Sequence, residues 1–184
     1  MGQIKVYFNV GGIEGLSVII PKVHGDERGS FCETYNKRDM QEAGFNVDFV
    51  QDNQSRSSKG VLRGLHFQVK YPQTKLVRVV RGAVFDVAVD LRRGSATFGK
   101  YYGVELSEDN HRQILIPKNF AHGFLVLSEV AEFCYKCDDF YHPDDEGGIF
   151  YADPDINIQW PKIDAPFILS DKDKHQPLLK ELSL

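Results

Sequence analysis

The sequence predicts an all-β fold, an antiparallel sandwich or jelly roll with a few short helices, and three observations carry that prediction. From about residue 61 onward, short β-rich runs follow one another as VLRGLHFQ, KLVRVV, VFDVAVDL, FGKYYGVEL, RQILIP, HGFLVL and AEFCYKCDDF. Turn signals separate them at Arg81-Gly82, Arg92-Arg93-Gly94-Ser95, Ser107-Glu108-Asp109-Asn110, Pro117-Lys118-Asn119 and Ser128-Glu129. No long helical segment intervenes, so successive strands lack the crossover that parallel pairing needs and return antiparallel instead.

Upstream of this core, residues 16–20, 29–35 and 45–51 carry further strand patterns. Residues 37–43 form one short helix, because Asn36 can cap its exposed N–H groups and Gly44 can adopt the left-handed turn that ends it. After Tyr141 the chain becomes loop-like (HPDDEGG, ADPD, WPKIDAP) and closes on LSDKDKHQPLLKELSL, where a short helix or two is expected. With 184 residues and no internal repeat, low-complexity tract or linker, the chain reads as one domain over 1–184. Its parts are N-terminal strands and loop (1–60), a core (about 61–141) and C-terminal loops with short helices (142–184).

Charge and cysteine usage narrow the function. Twenty-two Lys plus Arg against 26 Asp plus Glu leave a formal charge of -4, which offers no footprint for nucleic acid. An anionic ligand must therefore be met by a few local cations. No apolar run approaches the roughly 18 to 20 residues of a membrane helix, so membrane spanning is not expected. The start MGQIKVYFNVGG lacks a basic region followed by an apolar one, and Val6 stands where a myristoylation signal wants Ser or Thr, so a cytoplasmic protein is expected. Three cysteines, Cys32, Cys134 and Cys137, cannot all pair, and the C-x-x-C at 134–137 lies in a strand-like run that would turn its two side chains to opposite faces. Neither a redox nor a zinc role is expected of it. Asn53-Gln54-Ser55 matches a glycosylation acceptor, a chance match in a chain without a secretion signal. Phosphate-loop, dinucleotide-binding, nucleophile-elbow and H-E-x-x-H zinc motifs are all absent from the sequence.

Most core strands nevertheless carry a polar residue at a position that can face inward: His66, Lys75, Asp86, His122 and Tyr135. Singly, each fits ordinary packing; their convergence points to a site. The ordered segments RGLHFQ, TKLVRVVRGAVFDVAVDLR, TFGKYYGVELS, RQILIPKNFAHGFLVLSE and PDINIQWP closely resemble the dTDP-4-dehydrorhamnose 3,5-epimerases, over residues 18 to 173. The resemblance implies a cupin-type jelly roll acting on dTDP-4-dehydro-6-deoxy-D-glucose, inverting C3 and C5 on the way to dTDP-L-rhamnose without cofactor or metal. It also implies a homodimer that exchanges site residues between subunits.

A C4 ketone acidifies the hydrogens on C3 and C5, so inversion needs a base, an enolate stabiliser and an acid on the opposite ring face. By resemblance His66 is the base, and Asp173 of LSDKD holds its imidazole; Asp171, two residues earlier, is separated from Asp173 only by family register. Lys75 matches the cation that faces the C4 oxygen. Tyr135 matches the acid, a phenol titrating near about 10 when free and expected to be lowered by a neighbouring ammonium. Asp86 is suited to orienting either Lys75 or His122. Family register places the nucleotide contacts on Arg28, Phe31, Glu33, Gln51, Asn53, Arg63, His122, Tyr141, Glu146 and Lys172, and of these Arg28, Phe31 and Glu33 are expected to reach into the neighbouring subunit. Strict alternation would put Arg63 and His66 on opposite faces, a conflict that a bulge at Gly64 would resolve.

The sequence departs from the family pattern around Phe31 (Ser30, Cys32), at Phe67 and in the loop VKYPQ before Lys75. Three rival readings stand beside the double epimerase. One is a single-carbon epimerase of another 4-keto sugar nucleotide. The second is a metal-dependent cupin, which His66-Phe67-Gln68 in place of H-x-H disfavours. The third is a sugar-nucleotide-binding module, which would need no opposed acid and base.

Overall fold

Alternation of apolar and polar residues with a period of two turns one side of each strand inward. The computed structural model describes residues 4–183; residues 1–3, where the N-terminal targeting reading begins, and residue 184 lie outside the described part. In chain order the strands are β1 (Ile4–Tyr7), β2 (Ser17–Pro21), β3 (Val23–Asp26), β4 (Gly29–Cys32), β5 (Gln51–Ser58), β6 (Leu62–Gln68), β7 (Lys75–Arg81), β8 (Ala83–Asp90), β9 (Tyr101–Ser107), β10 (Gln113–Ile116), β11 (Phe120–Val126), β12 (Val130–Cys137) and β13 (Glu146–Gly148). Helix α1 (Lys37–Glu42) precedes β5, and α2 (Asp171–Lys174) lies in the C-terminal segment.

Two antiparallel sheets, ordered β1-β2-β10-β7-β12-β5 and β13-β6-β11-β8-β9, face each other as a jelly roll of the cupin type, and β3 and β4 form a separate hairpin. Between the sheets Val77 and Val79 of β7 and Ala131 and Phe133 of β12 meet Val84 and Ala88 of β8 and Phe124 of β11. Burying a side chain such as Phe133, 2% exposed, is worth about 1.5–3 kcal/mol. Two smaller cores cover the outer faces. The C-terminal Ile156 and Ile158 pack on Leu65, Val87 and Val89, and Met40 of α1 packs on Ile19, Leu76 and Leu115.

Short polar devices fix the turns. Asn36 Oδ1 accepts the N–H groups of Arg38 and Asp39, and Gly44 at φ 92° follows the helix end, as the sequence predicts. At the end of β8, buried Asp90 accepts from Arg92 Nε (2.9 Å), Ser95 Oγ (2.8 Å) and Thr97 Oγ1 (2.6 Å), closing the turn into β9. Burial pushes the Asp90 carboxyl up, but these donors overcome it and hold the group down at about 2.

The expected strand at 45–51 is not formed. Residues 45–50 are irregular, with Phe45 and Phe49 packed beside Met40, and the strand is instead the all-polar QDNQSRSS of β5. A strand with no apolar side chain gives no hydrophobic alternation to read. Strands β1, β3 and β13 were likewise not anticipated, and β4 ends at Cys32 rather than at residue 35. Cys134 and Cys137 fall on opposite faces of β12, with Cys137 buried beside the interior positions of Ala131 and Phe133.

Strand β6 carries the expected bulge. His66 pairs with His122 while Arg63 pairs with Phe124, so β6 spends one more residue than β11 over that interval. Gly64 sits there at φ 123°, and a Cβ on it would lie 2.6 Å from Gly123 Cα. Only glycines let the two backbones approach so closely. The extra residue brings Arg63 and His66 to the same side.

Candidate active site

The inner walls of both sheets, closed at one side by residues 168–173, surround a cavity of about 530 Å³. That volume is in the range of small-molecule sites. His66, Lys75, Tyr135, His122, Arg63 and Lys172 all line it. Among the described residues no helix is long and apolar enough to cross a membrane.

His66 and Asp173 form a dyad, with Nε2 2.6 Å from Asp173 Oδ1. Asp173 is 3% exposed and held in place by local chemistry: Ser170 caps α2, its Oγ accepting the Asp173 N–H at 3.1 Å, and Gly64 N–H approaches Oδ2 at 3.4 Å. Burial pushes this carboxyl up, yet the hydrogen bond and charge of His66, with help from Gly64 and Ser170, bring it below the usual range. Asp171, by contrast, is 94% exposed and pairs with Lys174, so the geometry separates the two aspartates.

Tyr135 stands on β12, in the sheet opposite His66. Burial, then the neighbouring Cys137, Tyr141 and Glu146, push its phenol above the ordinary value, and Arg63 only partly opposes them. This corrects the expectation that an ammonium lowers it: Lys75 Nζ lies 5.8 Å from the ring centroid, and burial is the larger effect. The phenol is held protonated, the form an acid needs. Lys75 opens β7 on the face shared with Val77 and Val79, half-buried rather than solvated. Burial lowers its ammonium, and Cys137, Asp86 and Glu146 push in the opposite direction.

His122 is 8% exposed and directs Nε2 to Asp86 Oδ2 at 2.9 Å. Arg63 donates from Nε to Ser57 Oγ at 3.2 Å. At the cavity mouth Tyr141 donates its hydroxyl to Glu146 Oε2 at 2.9 Å, and the same carboxylate receives the Lys172 ammonium. Burial raises Glu146, but the Lys172 and Tyr141 hydrogen bonds leave it net lowered and so anionic. Gln51 and Asn53 border this cluster without lining the cavity. Gln51 donates to Asn53 Oδ1 at 3.0 Å and accepts the Tyr141 N–H at 3.1 Å, and Asn53 is the ladder partner of Tyr135.

Arg28, Phe31 and Glu33 are not brought to this chain's cavity. Arg28 pairs with Asp26 on the β3–β4 hairpin, Glu33 accepts from Asn36 at 2.9 Å, and Phe31 is 71% exposed. Sequence reasoning missed Ser55 and Ser57 on β5, Phe124, Phe133, Ile168 and Ser170. Two signals could have found some of them: small polar residues alternating along β5, and the S-x-x-D spacing at 170–173 that marks a helix N-cap. Among the described residues no three His, Cys, Asp or Glu side chains form a group able to hold a metal ion. Gln68, standing where a cupin's second histidine is usual, donates instead to His142 O at 2.7 Å.

Comparison with known proteins follows the same line. The family model described as dTDP-4-dehydrorhamnose 3,5-epimerase matches residues 11–181. The chain is similar to the dTDP-4-dehydrorhamnose 3,5-epimerase of Pseudomonas aeruginosa, 59% identical over 155 residues, covering 84% of this chain and 85% of the relative. It is similar also to that of Escherichia coli, 54% identical over 172 residues and 92% of each chain. Among solved structures, a dTDP-6-deoxy-D-glucose-3,5-epimerase from Legionella pneumophila, crystallised in complex with dTDP-4-keto-L-rhamnose, superposes with a TM-score of 0.92 at 51% identity, covering 97% of this chain and 94% of the other.

Proposed function

Given that this chain belongs to the dTDP-4-dehydrorhamnose 3,5-epimerase family, we propose that it inverts C3 and C5 of dTDP-4-dehydro-6-deoxy-D-glucose, producing dTDP-4-dehydro-L-rhamnose for dTDP-L-rhamnose biosynthesis. The observation that carries this reading is the opposition of two proton-transfer groups across one cavity: His66 on one sheet, paired with Asp173 of α2, and protonated Tyr135 on the other. A binding module needs neither.

In this reading His66 removes the proton from C5, the C–H electron pair becomes the C4–C5 double bond of an enolate, and the C4 oxygen takes the negative charge beside the Lys75 ammonium. Tyr135 then delivers a proton to C5 from the opposite face as the carbonyl re-forms, which inverts the centre. Abstraction at C3 follows the same logic. Asp173 keeps the imidazole oriented and favours the imidazolium that forms, and Lys75 stabilises charge that is present only in the transition state and intermediate. Arg63 and Lys172 supply the cations that a diphosphate needs in a chain of net charge -4, and half-exposed Tyr141 offers a face for the thymine.

The same reading makes the protein a cytoplasmic homodimer. What supports the dimer is the hairpin: among the described residues β3 and β4 pair only with each other and β5 leaves an open sheet edge beside the cavity, and Phe31 projects into solvent. A partner's hairpin on that edge would carry Arg28, Phe31 and Glu33 to the nucleotide.

Incubation of chelator-treated protein with dTDP-4-dehydro-6-deoxy-D-glucose in D2O, followed by NMR, tests the activity. Deuterium entering at both C3 and C5 with inversion is expected. Labelling at one carbon would replace the reading with a single-carbon epimerase, and no exchange at either would overturn the substrate assignment.

A further inference from the structure

We propose that Asp86 is a positioning residue of this site, a buried carboxylate that fixes the His122 ring with one oxygen and keeps Lys75 a charged ammonium with the field of the other. The inference rests on the reading of Lys75 as the enolate-stabilising cation and adds the group that sustains it.

The geometry is specific. Asp86 lies in the middle of β8, its side chain turned between the sheets on the face shared by Val84 and Ala88, and it is 0% exposed. Lys75 projects into the same interlayer space from β7, on the face of Val77. Asp86 Oδ2 receives His122 Nε2 at 2.9 Å, while Oδ1 is buried and has no hydrogen-bond partner among the described residues. An ionised carboxylate accepts only, so His122 carries its proton on Nε2 and the ring orientation is set. A buried anion with an unsatisfied oxygen is costly unless a cation compensates it.

The groups around Lys75 identify that cation. Lys75 shares the cavity with Tyr135 of β12, His122 of β11 and His66 and Arg63 of β6, and Cys137 of β12, Asp86 of β8 and Glu146 of β13 act on its ammonium through their charge. Of the nearby carboxylates, Glu146 is engaged by Lys172 and Tyr141, and Asp173 by His66. Of these three, only Asp86 has, among the described residues, a buried oxygen without a hydrogen-bond partner, and its other oxygen holds His122, which lines the same cavity as Lys75. Burial by itself drives a lysine toward the neutral amine, which cannot oppose the enolate charge. Asp86 acts against that drift, and its effect on chemistry passes through Lys75 and His122.

The test is Asp86→Asn, in which the amide oxygen can still accept the His122 N–H while the charge is gone. Two readouts are compared with the wild type: the pH dependence of kcat/KM, and the titration of Lys75 followed by NMR in protein carrying ¹³Cε-lysine. The alkaline limb and the Lys75 titration are expected to move down together by about one pH unit or more, with kcat changing more than KM. Activity lost equally at every pH with the Lys75 titration unmoved would overturn the proposal and leave Asp86 a packing residue. If the variant does not fold, the ¹³Cε signal of Lys75 in the wild type decides: an ammonium at pH 7 is expected, and a neutral amine there overturns the proposal. Neither NMR readout depends on turnover, so failure of the substrate assignment would leave this result standing.

Discussion

Replacing Asp173 with Asn probes the His66–Asp173 dyad on which the proposed chemistry depends. The substitution preserves shape inside a site where the carboxylate is 3% exposed, and it removes one negative charge 2.6 Å from the His66 ring. A hydrogen bond between a charged pair contributes about 1.5–3 kcal/mol, roughly twice a neutral one. The imidazolium forms only as the substrate proton leaves, so most of that energy is lost from the transition state rather than from binding. At 1.36 kcal/mol per tenfold, kcat should fall about 10- to 150-fold while KM changes little. Initial rates of deuterium entry at C5, measured by NMR in D2O across substrate concentrations, give both parameters. Asp171→Asn is the matched control, since that side chain lies two residues away, 94% exposed and paired with Lys174. A kcat for Asp173→Asn within threefold of wild type, or an equal loss in the control, would refute the dyad.

Two further predictions concern stability and assembly. For Asp90, depression from 3.8 to about 2 corresponds to about 2.5 kcal/mol of stability. Because the folded value lies below the unfolded one, this contribution is complete above about pH 4 and disappears as pH falls through 2. Asp90→Asn should therefore unfold in urea with about 2 kcal/mol less stability at pH 7, a deficit that shrinks toward pH 2; a pH-independent difference would contradict the assignment. For the dimer, His66→Ala and Phe31→Ala, each impaired alone, should complement after mixing through dissociation. If the hairpin serves the partner's cavity, half the dimers are hybrids, each with one intact site, and roughly a quarter of wild-type turnover returns. Absence of recovery would place Phe31 outside the shared site.

The fold was legible in the core because β7, β8, β10, β11 and β12 are dense in Val, Ile, Leu and Phe between clear turns. It became illegible where strand formation owes nothing to hydrophobic alternation. β5 is wholly polar and is a strand because β12 pairs with it along its whole length, from Gln51↔Cys137 to Ser58↔Val130. Phe45 and Phe49, which look like strand residues, are instead a lid on Met40. Within the site, His66, Lys75, Tyr135 and His122 were visible as polar residues interrupting apolar strands. Asp173 was not separable from Asp171 by chemistry alone, since only the fold of α2 buries one and exposes the other. The direction of the Tyr135 shift was misread because sequence shows which charges are near but not how much water is removed, and here burial is the larger effect.

The His66 imidazole and the Asp173 carboxylate are 107 residues apart in sequence, and the carboxylate belongs to the four-residue helix α2. During synthesis β6 leaves the ribosome long before α2 does, so the growing chain holds the His66 imidazole without its carboxylate while the intervening residues are made. The segment that brings the partner also supplies Ile168, Leu169 and Ser170 to the cavity wall, and it docks through the Val61–Ile168 bridge. Enclosure of the cavity and completion of the dyad thus arrive together in the nascent chain, after the sandwich strands. A product stalled before residue 168 would retain every strand of the sandwich, the last of which ends at Gly148, yet hold His66 without its carboxylate in a cavity still open to water.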